Sequence, residues 1–467
     1  MALRFGLRDI ALFERPVRFA RPFRFGAVTV EATPQLLVRV EIETEGGARF
    51  VGAAAELMVP KWFDKRPQLS PEQTVADLRR SLAIARELYL AHEGFDTAFA
   101  LHAACIGAQL SACAQEDIPP LAAAYGPAEL DKALLDAVLR AAGIDFFSGM
   151  AENVAGIDTR LTPDLSDAEV AAFLAARKPL ARVAVRHTVG LDDRIEGQGG
   201  VADISENAGA RYFKLKLSGD PDADTSRLRR IGRELAPLPY DYMVTLDANE
   251  QYAELPALHL LADRVETDNS LRPIAAKLLY IEQPMPRDLT RQSPLGGLAA
   301  RDFIIDEADD SYEAFPAARQ LGYRGVSSKS CKGLYKSVLN AARAAKWNAE
   351  GGRFFVTGED LTCQPGLALQ QDLALGAWLG LQHVERNGHH YVDGFGETPE
   401  REAAAFAAAH PDLYRSSPDR VHLAIHEGDL LTTSLSVPGF ASSVHPDWAS
   451  LSPVQQTTPR LSKEHFA

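Results

Sequence analysis

The sequence predicts an α/β protein, a (β/α) barrel accompanied by an α+β domain, and three observations carry that expectation. From about residue 180, short apolar or β-branched runs alternate with helical patterns over roughly 220 residues, which suits a barrel better than an open sheet. The first third is built differently, with turn-bounded strands and then a run of helices. Charged residues recur at the ends of the later strand candidates, the edge on which barrel enzymes assemble their sites.

The N-terminal MALRFGLRDIALFERPVRFARPFRFG is rich in arginine, but Asp9 and Glu14 interrupt any resemblance to a transit peptide. FRFGAVTVE, LLVRVEIET and ARFVGAAAE within residues 22–56 read as strands, the last two joined by the Gly46–Gly47 turn. Apolar spacings of three and four predict helices over 71–93, 97–115 and 127–142. The barrel strands are then expected at RVAVRHTV, YFKLKLS, YMVTLDAN, LLYIEQP, FIIDEA, GVSSKS, RFFVTGE and QHVERNG. No clean eighth helix follows the last of them. Residues 1–150 are therefore read as the α+β domain, 151–410 as the barrel, and 411–467 as a tail returning to the first domain.

Composition narrows the function. With 467 residues, 46% hydrophobic and 24% charged, the chain can bury a large core. A net charge of −14 argues against nucleic acid or an anionic membrane as partner, and no apolar run approaches a membrane span. Cys105, Cys113, Cys331 and Cys363 lack metal-ligand spacing and read as buried free thiols of a cytoplasmic protein.

Strand alternation turns the charged residues into a constellation. In Tyr212–Leu217 the apolar Phe213, Leu215 and Leu217 share one face, so Lys214 and Lys216 point into the barrel. The same reasoning sends Asp247, Asn249, Glu282, Asp306 and Lys329 inward. Taken singly, each would be an ordinary surface ion-pair partner. Together they set three acids on consecutive strands between two lysines, a charge density that is costly to bury without a ligand. Three carboxylates suit Mg²⁺, with Mn²⁺ as a substitute, and such a cation stabilises the charge left when a carboxylate substrate loses its α-proton.

This constellation resembles the enolase superfamily, in its mandelate racemase and muconate lactonizing enzyme branch. The resemblance implies a (β/α)₇β barrel, that is a modified (β/α)₈ barrel, under an α+β capping domain. It also implies Asp247, Glu282 and Asp306 as metal ligands, Lys216 and Lys329 as acid–base groups with Lys214 beside them, and Asn249 behind the ligands. A small-molecule carboxylate substrate and a homo-oligomer go with it. A lysine on the sixth strand and no histidine on the seventh place the chain nearer the lysine–lysine subgroup of muconate cycloisomerases, dipeptide epimerases and o-succinylbenzoate synthases. Two features depart from the pattern: Lys329-Ser-Cys-Lys332-Gly333-Leu is shorter than the usual K-x-x-K-x-G-G, and residues 265–277 look like an insertion.

Family members close a capping-domain loop over the barrel mouth. Glu56–Phe63 fits that role, with Met58, Trp62 and Phe63 as pocket walls, while Glu385, Asn387 and His389 at the eighth strand could meet the far end of the substrate. The expected outcomes are racemisation or epimerisation, cycloisomerisation or dehydration. Two alternatives compete: a Schiff-base, aldolase-like barrel, which leaves the three acids without a role, and a non-catalytic carboxylate-binding member of the same fold.

Overall fold

The computed structural model describes residues 2–26, 28–418, 420–455 and 457. Three antiparallel strands open the chain: β1 (Phe5–Phe25), β2 (Val28–Thr44) and β3 (Arg49–Leu57). The arginine-rich start is thus mostly strand, which the sequence reading left unassigned. Phe5, Ile10, Val17, Phe23 and Phe25 are buried whereas Arg4, Arg8, Arg18 and Arg24 are exposed, so the strand is two-faced. Register shifts at Leu7/Asp9 and Arg18/Phe23 break its alternation, which hid it.

Helices α1 (Pro71–Leu90), α2 (Ala98–Gln115) and α3 (Pro120–Ala142) follow, and α3 lies on β3. That approach needs Gly52, where a Cβ would stand 2.1 Å from the Ala133 carbonyl oxygen. The third helix begins at Pro120, one full segment before the expected start at 127. Pro127 cannot donate to the Ala123 carbonyl, and that oxygen instead accepts from Ser81 Oγ at 2.9 Å and Gln109 Nε2 at 3.0 Å. The helix therefore runs through its proline.

Two short helices, α4 (Phe146–Ala151) and α5 (Asp167–Ala175), lead to the barrel. Its strands are β4 (Arg182–Val189), β5 (Tyr212–Lys216), β6 (Met243–Asp247), β7 (Leu278–Glu282), β8 (Phe303–Ile305), β9 (Gly325–Ser328), β10 (Phe355–Gly358) and β11 (His383–Glu385). All are parallel, each pairs with the next, and β11 closes on β4 through His383↔Ala184. Every barrel strand expected from the sequence forms, whereas the expected strand FRFGAVTVE is split between the end of β1 and the start of β2.

Between them run α6 (Val201–Ala208), α7 (Pro221–Leu235), α8 (Leu255–Thr267), α9 (Arg272–Ala275), α10 (Arg287–Thr290), α11 (Ala314–Gln320), α12 (Leu334–Ala349) and α13 (Leu367–Leu379). Residues 265–277 complete α8, make one 3₁₀ turn and form α9, with Leu271 and Ile274 buried in the shell that includes α7. Outward-facing Phe213, Leu215, Val244, Leu246 and Ile281 pack in that same shell. After β11 there is only the single turn α14 (Gly388–Tyr391), then α15 (Glu400–Ala409) and the hairpin β12 (Tyr414–Ser416)–β13 (Val421–Leu423). The tail ties both parts together: β14 (Asp429–Leu431) runs antiparallel to β4, and β15 (Ser452–Pro453) pairs with β1. Among the described residues no helix is long and apolar enough to cross a membrane, and all four cysteines are free and buried.

Candidate active site

Register sets the site. Lys216 pairs with Asp247 across β5–β6, and Asp247 with Glu282 across β6–β7, so the lysine and the two acids stand at one level at the C-terminal edge. Asp306 follows β8 directly and Lys329 follows β9. All of these side chains are buried, as are Lys214 and Asn249.

Ammonium groups organise the acids. Lys216 Nζ donates to Asp247 Oδ2 at 2.5 Å and to Asn249 Oδ1 at 2.7 Å. Lys329 Nζ donates to Asp306 Oδ2 at 2.6 Å and lies 4.1 Å from the centre of the Trp62 ring. Lys332, the second lysine of the shortened motif, donates to Ser327 Oγ at 2.6 Å and to the Asp306 carbonyl at 3.1 Å. Lys214 reaches furthest, contacting Asp247 at 3.0 Å, Glu282 at 2.9 Å, Glu359 at 2.7 Å and Glu385 at 2.8 Å.

These pairings decide protonation. Burial alone would lower the Lys329 ammonium, but Asp306 outweighs it and holds the group above its ordinary range. Burial likewise opposes the charge on Lys214, and Asp247, Glu282, Glu359 and Glu385 overcome it. Asp306 stays well below the usual carboxylate range despite burial, because Lys329 and Lys332 face it. Glu282 goes the other way: burial first, then Asp247 and Glu359, push its carboxyl well above the usual range.

Whether the residues fit a divalent cation turns on Glu282. Its Oε1 accepts from Lys214 at 3.0 Å, whereas Oε2, although 2.9 Å from the same ammonium, takes no hydrogen bond and is buried. An oxygen-only donor set with one orphaned carboxylate oxygen fits Mg²⁺ in its chemistry. Among the described residues, however, no three His, Cys, Asp or Glu side chains converge as a cage, because the acids turn to the ammonium groups instead.

The segment that follows β3 packs over this centre. Lys65 Nζ donates to Glu307 Oε1 at 2.6 Å and to the Asn249 carbonyl at 2.9 Å, and it pairs with Glu250 at 2.9 Å. Arg287, from α10, donates to the Phe63 carbonyl at 2.9 Å and the Trp62 carbonyl at 3.3 Å. Trp62 thus meets Lys329, while Phe63 packs edge-on against Tyr125 of α3, on the cap side, with ring centres 5.1 Å apart. Met58 is fully buried and its backbone is held by Thr33 and Pro34. Glu385 is bound by Lys214 and by Thr188 Oγ1 at 2.5 Å, and Asn387 donates to it at 2.9 Å.

Sequence reasoning missed Glu359, Arg186 and Tyr280, which share one network in the barrel interior. Glu359 lies 2.5 Å from Arg186 and accepts from Tyr280 Oη at 3.0 Å. Alternation in RVAVRHTV and RFFVTGE carried the signal, since each places its charged residue opposite the apolar face. Lys65, Arg287 and Glu307 were also missed, and there only the fold brings the partners together.

No protein-family model and no curated protein sequence matches the chain. Solved structures do. A mandelate racemase/muconate lactonizing protein from Herpetosiphon aurantiacus superposes with a TM-score of 0.61 at 16% identity, covering 93% of this chain and 98% of its own. A dipeptide epimerase from Methylococcus capsulatus, complexed with Mg and the dipeptide L-Arg-D-Lys, gives 0.57 at 20% identity over 93% and 99%. A muconate lactonizing enzyme from Mucobacterium smegmatis, complexed with muconolactone, gives 0.58 at 18% over 96% and 98%. The fold of this chain, a closed eight-stranded barrel with a separate antiparallel sheet domain, is that of the mandelate racemase and muconate lactonizing enzyme structures of the enolase superfamily.

Proposed function

We propose that the chain is an enzyme of the enolase superfamily that removes the α-proton of a small carboxylate substrate and returns or redirects a proton at the same centre. The carrying observation is the pair Lys216, at the end of β5, and Lys329, just after β9, each clamped to an acid of the consecutive set Asp247, Glu282 and Asp306. In this reading residues 1–150 with 411–467 form the cap, and 151–410 carry the chemistry.

Lys216, oriented by Asn249, takes the α-proton once it has released its own proton and stands as the neutral amine, and the electron pair of that C–H bond moves into the substrate carboxylate. Lys329 is the ammonium facing it from the other side of the barrel, and it donates a proton or stabilises the developing charge. Asp247, Glu282 and Asp306 are the residues that would hold Mg²⁺, or Mn²⁺ in its place. When bound, the cation supplies positive charge for the substrate carboxylate and so lowers the cost of proton removal. Trp62 covers Lys329 and excludes water from the reacting face. Two lysines on opposite faces suit racemisation or epimerisation; one base and one stabilising cation suit cycloisomerisation or elimination.

The test is deuterium exchange at the α-carbon, followed by NMR for both stereoisomers of each acid in a panel of dipeptides and hydroxy acids. For a racemase or epimerase, Lys216→Ala should stop exchange of one stereoisomer and Lys329→Ala that of the other. For elimination, only one variant loses exchange, and the other slows by roughly 10²–10⁴-fold. Exchange at the wild-type rate in both variants would refute the proposal.

A further inference from the structure

A cavity of about 1020 Å³ opens away from the lysine site. It lies outside the barrel against the outer face of β4, where a full eighth helix is replaced by the single turn α14. A neighbouring cavity of about 540 Å³ shares Arg21, His187, Ile204 and His390 with it. Volumes of this size are those of sites for small organic molecules.

Its wall carries polar groups without partners. His187 is 4% exposed, yet among the described residues it makes no hydrogen bond through either ring nitrogen. Its contacts are with other rings, His390 at 4.7 Å and His389 at 6.2 Å between centres. Among the described residues Nδ1 of His389 is buried without a partner, whereas neither ring nitrogen of His187 is a buried orphan. Buried polar atoms are seldom left unsatisfied, and such exceptions mark a place where a ligand or water belongs. On two other walls, β1 and β12 contribute Arg21 and Arg415, and among the described residues neither pairs with a carboxylate. Of the acids lining the cavity, Asp393 is committed to Arg420 at 2.5 Å and to His422 at 3.4 Å. Glu206 and Glu427 lie at the exposed margin.

We propose that this cavity is a second ligand site, for a small molecule bearing an anionic oxygen group, either carboxylate or phosphate. Arg21 takes the anion, and His187 and His389 meet the polar body with the nitrogens they leave free. The imidazoles suit this role because they are neutral: burial lowers His187 well below its ordinary value and His389 to about 3, with His390 and Arg21 or Arg386 adding to the effect. Each then offers one donor and one acceptor. A cation is the poorer occupant, since among the described residues no three ligating side chains converge here.

Isothermal titration with inorganic phosphate and with succinate, at neutral pH, tests the site and tells the two headgroups apart. Saturable binding of at least one probe is expected. It should weaken roughly 10–100-fold in Arg21→Ala, the cost of losing a charged hydrogen bond, and in His187→Phe, while Lys329→Ala leaves it unchanged. Imidazole ¹⁵N shifts of His187 and His389 should move with the same titration, a readout that stands even if His187→Phe does not fold. The inference is overturned if neither probe binds, or if binding ignores Arg21→Ala and vanishes with Lys329→Ala, which would assign it to the lysine site.

Discussion

Removing the Lys65 ammonium, as in Lys65→Met, should uncouple the lid from the barrel. Lys65 bridges Glu307, Glu250 and the Asn249 carbonyl, and Asn249 in turn orients Lys216. Without it, Glu307, which is fully buried, keeps among the described residues only Asn249 Nδ2 at 3.1 Å, and its Oε2 already has no partner there. Breaking a buried ion pair costs about 3–5 kcal/mol. The Lys65 side chain is 22% exposed, so about 2 kcal/mol is a fairer figure here. Arg287 still holds the Trp62 and Phe63 carbonyls, and the segment should therefore open rather than unfold. A shift of about 2 kcal/mol moves the closed-to-open ratio roughly 30-fold. Limited proteolysis within residues 58–66 should accelerate by that order, and kcat/KM for α-proton exchange should fall with it. The assay compares Lys65→Met with Glu307→Gln, reading cleavage rate, exchange rate and Tm together. A lower Tm with unchanged cleavage and exchange would refute the coupling and leave Lys65 a structural contact only.

Asp306→Asn should cut exchange roughly 100-fold or more, the scale of losing one preorganised electrostatic contact; full activity in excess chelator would remove Mg²⁺ from the reading. Trp62→Ala should alter the substrate profile across a panel of acids more than it alters Tm, since the ring covers Lys329 at a cation–π contact worth about 0.5–2 kcal/mol. His383 bears on stability against pH. Burial, then Arg186, lowers it to about 3, so between about pH 6.5 and 3 the unfolded chain binds a proton that the folded one does not. Stability should therefore fall as pH drops through that window, by up to about 1.4 kcal/mol per pH unit for this group, and His383→Phe should flatten the profile of Tm against pH.

The barrel was legible because each strand wrote its two faces into alternate residues. Phe213 and Leu215 against Lys214 and Lys216 is enough to fix which side meets the helices. β1 obeys the same rule, but two register shifts change its phase, and a pattern that changes phase does not declare itself. The start of α3 was hidden for a different reason: its interior proline is tolerated only because Ser81 and Gln109 occupy the freed carbonyl, a tertiary fact. The acids and lysines could be read at the strand ends. The lid's hold could not, because Lys65 and Glu307 are 242 residues apart and meet only once the cap is seated.

Lys214 and Lys216 differ by two residues and face the same way, yet the structure gives them unlike tasks. Lys214 is enclosed by carboxylates from β6, β7 and the ends of β10 and β11, so its ammonium spans the barrel interior and cannot easily give up a proton. Lys216 sits one level nearer the mouth and is held by one carboxylate and one neutral amide oxygen. The interior set of Asp247, Glu282, Asp306, Glu359 and Glu385 meets four cations, Arg186, Lys214, Lys216 and Lys329, with Lys332 shared between Asp306 and Asp309. The unmatched negative charge falls on Glu282, the acid whose carboxyl is pushed up and whose Oε2 is orphaned. A buried carboxylate in that position requires either a proton or a cation. Lys214 thus serves to hold the acids together across the barrel, and the proposed proton transfer is left to the two lysines at the rim.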